Sequence, residues 1–162
     1  MNGAHLHMVV NHFPIIGTIL GLGILVGGMI LKNNTVKNIA YCVFVVGAIF
    51  AAISMATGDG AEEMVVKMPT IGRQIIHEHE EMAEKLAILL YLLGIISLIG
   101  LYSNFKKKQK STLISYLALI IVIVAVFLAK ETGTSGGEIR HTEIRPTTNT
   151  SNLPNNKMDN DD

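Results

Sequence analysis

The chain has 162 residues, 49% of them hydrophobic and only 16% charged, with a mean hydropathy of +0.43. That balance excludes an ordinary soluble domain and points to a small membrane protein. Lys and Arg total 13 and so do Asp and Glu; with no net field to recruit a polyanion, no nucleic-acid partner is expected. One cysteine, Cys42, excludes an internal disulfide and a Cys-cluster metal site.

Stretches of about 20 apolar residues, the length that crosses a ~30 Å hydrocarbon layer, begin with Phe13–Leu31. No basic stretch precedes this first run and no small-residue cleavage site follows it, so it is expected to stay as a span and not to be removed as a signal. After the connection Lys32–Asn38 comes the second, Ile39–Thr57. Gly58–Gln74 then leaves the bilayer, and Asp59 with Glu62 forms a capping pair that predicts a short surface helix through Met68, ended by Pro69. The third and fourth spans are Leu86–Tyr102 and Leu113–Ala129, joined by Ser103–Thr112. From Thr142 the chain is Thr, Asn, Pro and Asp with few apolar residues, which predicts a disordered polar tail over 142–162 behind a transmembrane domain over 1–141.

The two short connections carry Lys32 and Lys37, and Lys106, Lys107, Lys108 and Lys110, with no acid in either. By the positive-inside rule both face the cytoplasm, which puts both termini outside. Short connections also make consecutive helices antiparallel neighbours. The expected fold is therefore an all-α membrane protein: a four-helix transmembrane bundle, up-down-up-down, in a bacterial cytoplasmic membrane with periplasmic termini. Small residues recur at helical spacing, as Gly17 and Gly21; Gly47, Ala51 and Ser54; Ala83, Ala87 and Gly94; and Ala118, Ala125 and Ala129. In lipid, close backbone approach drives helix association, so these stripes are expected to face inward. The lipid bilayer is the first partner, and a homo-oligomer is compatible with the same surfaces.

All six histidines, His5, His7, His12, His77, His79 and His141, fall on the outer side of this topology. His79 shares the face of Ala83, Ala87 and Gly94, whereas His77 turns toward Glu81 and Glu84. Ala129, Gly133, Gly137 and His141 form an i, i+4 series that carries His141 inward if the helix continues, unless Gly133 or Gly137 ends it. At 1.5 Å per residue His79 lies about 40 Å, His141 about 45 Å and His7 about 38 Å from the inner ends of their helices, with His12 deeper at about 30 Å. His7, His79 and His141 are thus expected to share one layer just above the hydrocarbon.

Several short motifs resemble the bacterial membrane proteins grouped as domain of unknown function 2231. That pattern opens with a His-Pro-x-x-Val-His-Phe-Pro-like stretch, which reads here His7-Met8-Val9-Val10-Asn11-His12-Phe13-Pro14, without the first Pro and the Val. Gly58-Asp59, His79-Glu80-Glu81-Met82-Ala83, and Thr132-Gly133 followed by Gly136-Gly137-Glu138-Ile139 and His141 are similar too, so the likeness spans about residues 4 to 141. Some members look like fusions to Rieske-type domains. The resemblance implies respiratory electron transfer through histidine-ligated haem b, with His7, His12, His79 and His141 as the individual ligand candidates.

A b-type haem in a bundle needs two neutral imidazoles on opposite faces of the macrocycle, apolar walls and cations near its propionates. Arg73 and Arg140 are candidates for the last role. The competing reading is a Cu, Zn or Fe ion held by the same histidines, with Glu78, Glu80 or Glu81 and the soft donors Met8, Met55, Met64, Met68 and Met82 nearby, in a non-catalytic membrane subunit. The bland reading treats these histidines as helix-end residues hydrogen-bonded to backbone, the methionines as interface filling, and the acidic run as a solvated helix start. No nucleophile stands beside a base, so no catalysis of the chain's own is expected; electrons would pass to or from a respiratory or redox protein partner.

Overall fold

The computed structural model describes residues 3–68, 71–106 and 111–145. Its helices are α1 (Gly3–Val10), α2 (His12–Ile30), α3 (Asn34–Val65), α4 (Arg73–Phe105) and α5 (Ser111–Arg140), followed by one 3-10 turn over Thr142–Ile144. Taken together, α1 and α2 make the first of 4 segments long and apolar enough to cross a membrane; α3, α4 and α5 are the others. The chain is an all-α four-helix bundle. Its upper end gathers α1, the end of α3, the start of α4 and the end of α5, and its lower end carries the lysine-bearing connections. Pro69, Lys107, Lys108, Lys110 and the tail from residue 146 lie outside the described residues.

Consecutive spans pack as neighbours, and α2 closes the ring against α5. Leu25, Tyr41, Phe44, Leu93 and Val122 fill the centre with at most 2% exposure. The small-residue stripes face inward as their spacing predicts: Gly21, Gly47, Ala51, Ala87, Gly94, Ala118, Ala125 and Ala129 are all buried. Three glycines permit close approach. A Cβ on Gly21 would meet the Phe44 ring, one on Gly100 the Tyr41 ring, and one on Gly94 the Ala48 methyl at 2.8 Å. Ile30, Ile88, Ile120 and Phe127 point outward and are exposed, as a lipid-facing surface requires. Inside, the Tyr41 hydroxyl is satisfied by Ser115 Oγ at 2.9 Å, and Ser115 in turn by the Ser111 carbonyl.

Three features of the helices shape the upper end. Pro14 lacks an N–H and so cannot bond the carbonyl of Val10, four residues back, which leaves a local irregularity where α1 meets α2; Asn11 keeps helical backbone angles and its N–H bonds the His7 carbonyl at 3.0 Å. Second, no separate surface helix starts at Asp59: α3 runs unbroken through Gly58-Asp59-Gly60 to Val65. The capping-pair expectation fails because Gly60 sits against the backbone of Gly3, where its Cβ would lie 3.2 Å from the Gly3 Cα. The glycine that looks like a helix breaker is the contact on which α1 packs. Third, α5 passes Gly133 and Gly137 without stopping, and the His141 N–H still bonds the Gly137 carbonyl at 2.9 Å.

Candidate functional site: a histidine pair at the upper end

His79 enters the upper end on the inward face of α4, one helical turn above Ala83 and seven residues outside the apolar stretch that begins at Leu86. Its ring is half-buried and lies against α5 where the backbone is bare: a Cβ on Gly136 would come within 3.0 Å of His79 Cε1. His79 Nδ1 is 3.0 Å from Ser135 Oγ, and that hydroxyl donates to the Thr132 carbonyl at 3.1 Å. Since the Ser135 proton is committed to Thr132, Ser135 Oγ accepts and His79 Nδ1–H donates. The tautomer is thereby fixed, with the lone pair on Nε2.

His7 arrives from α1. Gly3, Ala4, His7 and Val10 lie three or four apart, so one face of this short helix meets α3. The half-buried His7 ring donates from Nδ1 to the Ser54 carbonyl at 3.0 Å, while Thr57 Oγ1 stands 3.4 Å from the same nitrogen. A carbonyl only accepts, so His7 too carries its proton on Nδ1 and its lone pair on Nε2. Burial is the main cause that pushes the His79 pKa below the ordinary histidine value; the nearby His7 adds to it, and the Thr132 backbone opposes. Both the geometry and the electrostatics therefore favour a neutral His79 at pH 7. Two imidazoles from different helices, each oriented through Nδ1, are what a metal-binding pair presents, because an outer hydrogen bond fixes ring and tautomer.

The other candidates lie apart from this pair. His12 is exposed: five residues from His7, it is rotated by about 140° around the helix. His141 is exposed and held 2.9 Å from Glu143 Oε1. The i, i+4 series expected to carry it inward turns about 40° per step and so about 120° from Ala129. The inward face instead follows alternating steps of three and four, Ala125, Ala129, Thr132, Gly136, which ends on His79. His77 is exposed and 3.3 Å from Glu81, as its helical phase predicts. Arg140 donates to the Met68 sulfur, and Arg73 is exposed at a cavity of about 310 Å³ lined also by Glu62, Ile76, His77 and Glu80. Among the methionines, Met8 and Met64 are exposed, and Met55, Met68 and Met82 are half-buried.

Among the described residues no three His, Cys, Asp or Glu side chains converge as a metal site would need. A haem iron would take two protein ligands, the number of half-buried histidines at this end. Sequence reasoning missed Ser54, Thr57, Thr132, Ser135 and Gly136 as neighbours of the pair. The 3-4 spacing of α5 was the signal that pointed to Thr132 and Gly136. No family model, curated protein or solved structure matches the chain.

Proposed function

We propose that the chain is a membrane electron-relay protein in which His7 and His79 would hold the iron of a haem b at the upper end of the bundle. One observation carries this reading: two half-buried imidazoles on different helices, each with its proton on Nδ1 and its lone pair on Nε2. The haem supplies one-electron exchange when bound. The chain's own residues would hold the iron, orient both rings through Nδ1, and bring the centre to the edge of the bilayer where a redox partner protein can dock. Arg73 and Arg140, both exposed at this end, are the cations available to propionates.

Lys32, Lys37 and Lys106 lie at the lower end, and Lys107, Lys108 and Lys110 belong by sequence to the same connection. Such a lysine bias sets that end in the cytoplasm, so the histidine pair faces outward, toward the periplasm of a bacterial cell. Haem titrated into detergent-purified protein tests the ligand assignment. His7→Ala and His79→Ala are each expected to lose the low-spin Soret band, while His12→Ala and His141→Ala retain it. Retention of the wild-type spectrum by His79→Ala refutes the assignment. A colourless protein holding about one copper or zinc per chain would transfer the pair to a small ion.

A further inference from the structure

The lower end holds a lysine unlike its neighbours. Lys32 and Lys106 are exposed, whereas Lys37 is buried, with 6% exposure. It stands in the first turn of α3, in line with Tyr41 and Phe44 on the inward face of that helix. Its stem lies on the bare backbone of α2: a Cβ on Gly28 would come within 2.8 Å of Lys37 Cγ. Side chains of a helix lean toward its N-terminus, so the covered stem carries the ammonium toward the lower rim.

A covered ammonium is costly unless an anion pairs with it. Among the described residues Lys37 makes no salt bridge and no side-chain hydrogen bond, and the sequence explains why. α2 carries no acid; Asp59 on α3, Glu84 on α4 and Glu131 on α5 are the acids nearest the lower end of their helices. Each stands roughly 20 residues, about 30 Å, above that end. The remaining acids lie higher still or follow α5 in the tail. The partner of Lys37 must therefore come from outside the chain.

Other polar groups at the same level are also unmet. The Tyr41 hydroxyl bonds Ser115, and Gly100 faces the Tyr41 ring. One turn below these three residues stand Lys37 on α3, Ser103 and Asn104 on α4, and Ser111 on α5, all buried. Ser103 Oγ has no hydrogen-bond partner among the described residues, and neither has Asn104 Oδ1, although Asn104 Nδ2 donates to Asn38 Oδ1 at 2.6 Å. Buried groups left unpaired in this way call for a ligand or a water. The apolar runs stop at this level, with Leu31, Ile39, Tyr102 and Leu113, which is the depth of lipid headgroups and their phosphates.

We propose that Lys37 is the anchoring cation of a headgroup site at the lower rim, which holds the phosphate of one anionic phospholipid where α2 meets α3. Gly28 is bare so that the Lys37 stem can lie against it. The exposed Lys32 and Lys106 attract the same anionic surface without fixing a site. The site lies at the opposite end from the histidine pair and does not depend on what that pair holds.

The test is thermal unfolding of the full-length protein in an uncharged detergent, with phosphatidylglycerol, phosphatidylcholine or inorganic phosphate added. Phosphatidylglycerol is expected to raise the unfolding temperature, since a ligand of the native state stabilises it, and phosphatidylcholine at the same mole fraction to raise it less. In Lys37→Gln and Lys37→Met the phosphatidylglycerol needed for half the rise is expected to increase by at least about tenfold, because one partner of a close charge pair is gone. Lys32→Gln is expected to respond as the parent does. Without lipid, both Lys37 variants are expected to unfold no lower than the parent, since they remove a covered cation that has no partner there. Variants less stable than the parent in detergent alone would overturn the unpaired cation. An unchanged response to phosphatidylglycerol in both Lys37 variants overturns the site, and an equal loss in Lys32→Gln replaces it with a diffuse surface field. A rise of the same size with inorganic phosphate overturns the lipid as its ligand.

Discussion

The chemistry of the upper end is decided by single hydrogen bonds. Ser54 contributes a carbonyl that only accepts, and Ser135 a hydroxyl already committed to Thr132, and these two facts fix the protons of His7 and His79. A neighbouring pair is set against itself. Burial, followed by the Glu62 charge and its shared hydrogen bond, with Asp59 adding less, pushes the Glu80 carboxyl above the ordinary carboxylate value, while His77 opposes this. With a raised folded value the native state holds more protons than the unfolded one, so the contribution of Glu80 to stability is fully present below its unfolded pKa and is lost as pH rises through its folded pKa. Glu80→Gln keeps a donor for Glu62 and removes the charge. Thermal unfolding in detergent is expected to show the variant more stable than the parent at pH 7 and equal to it at pH 4; a variant less stable at pH 7 would contradict this reading of the pair. Little of this was legible in the sequence, because Glu62, Asp59 and the hydrogen-bond partners of both histidines lie on other helices.

Helices were more legible than contacts. Hydropathy and length located all four spans, and the small-residue stripes predicted their inward faces, because in lipid both signals come from one physical demand, close packing without exposed backbone. The failures have equally plain causes. Asp59 and Glu62 suggested a new helix start, but a continuous α3 is stabilised by α1 lying on Gly60. His141 was expected to follow Ala129 inward, but a four-residue repeat drifts around a helix of 3.6 residues per turn. The turn after α2 offers a direct check on local energetics. Lys32 takes the left-handed conformation (φ 50), with Asn33 N–H bonded to the Gly28 carbonyl and Lys32 N–H to the Met29 carbonyl, a helix end that glycine suits better. Lys32→Gly is expected to stabilise the protein by about 1 kcal/mol, since the left-handed region carries no Cβ penalty for glycine. Between helices the expectation reverses. Gly94→Ala drives a methyl to within 2.8 Å of the Ala48 methyl and is expected to cost about 1–3 kcal/mol by overpacking. Gly23→Ala, with nothing within 4 Å, is the control expected not to destabilise. Chemical unfolding in mixed micelles reads all three variants.

At the scale of the whole molecule, the bundle is a scaffold that brings two distant parts of the sequence together. His7 and His79 are 72 residues apart, and both come to the upper end, His7 where α1 packs on α3 and His79 where α4 packs on α5. The depth estimate placed His7, His79 and His141 in one layer; of these the structure half-buries His7 and His79 at the upper end and leaves His141 exposed. Helical phase, not height, separated the inward His79 from the outward His77, and the setting of His7 depends on how α1 lies on α3. The polar residues of the pair sit beyond the apolar stretch, so the membrane supports the site from below without having to solvate it. The proposed electron relay would need such a position, within reach of a partner at the surface. The most direct test of that claim is the dithionite-reduced minus air-oxidised absorption spectrum of protein purified after expression with ample haem. A sharp α band and a shifted Soret band, both lost in His79→Ala, are predicted. A flat difference spectrum from folded protein would contradict the haem assignment.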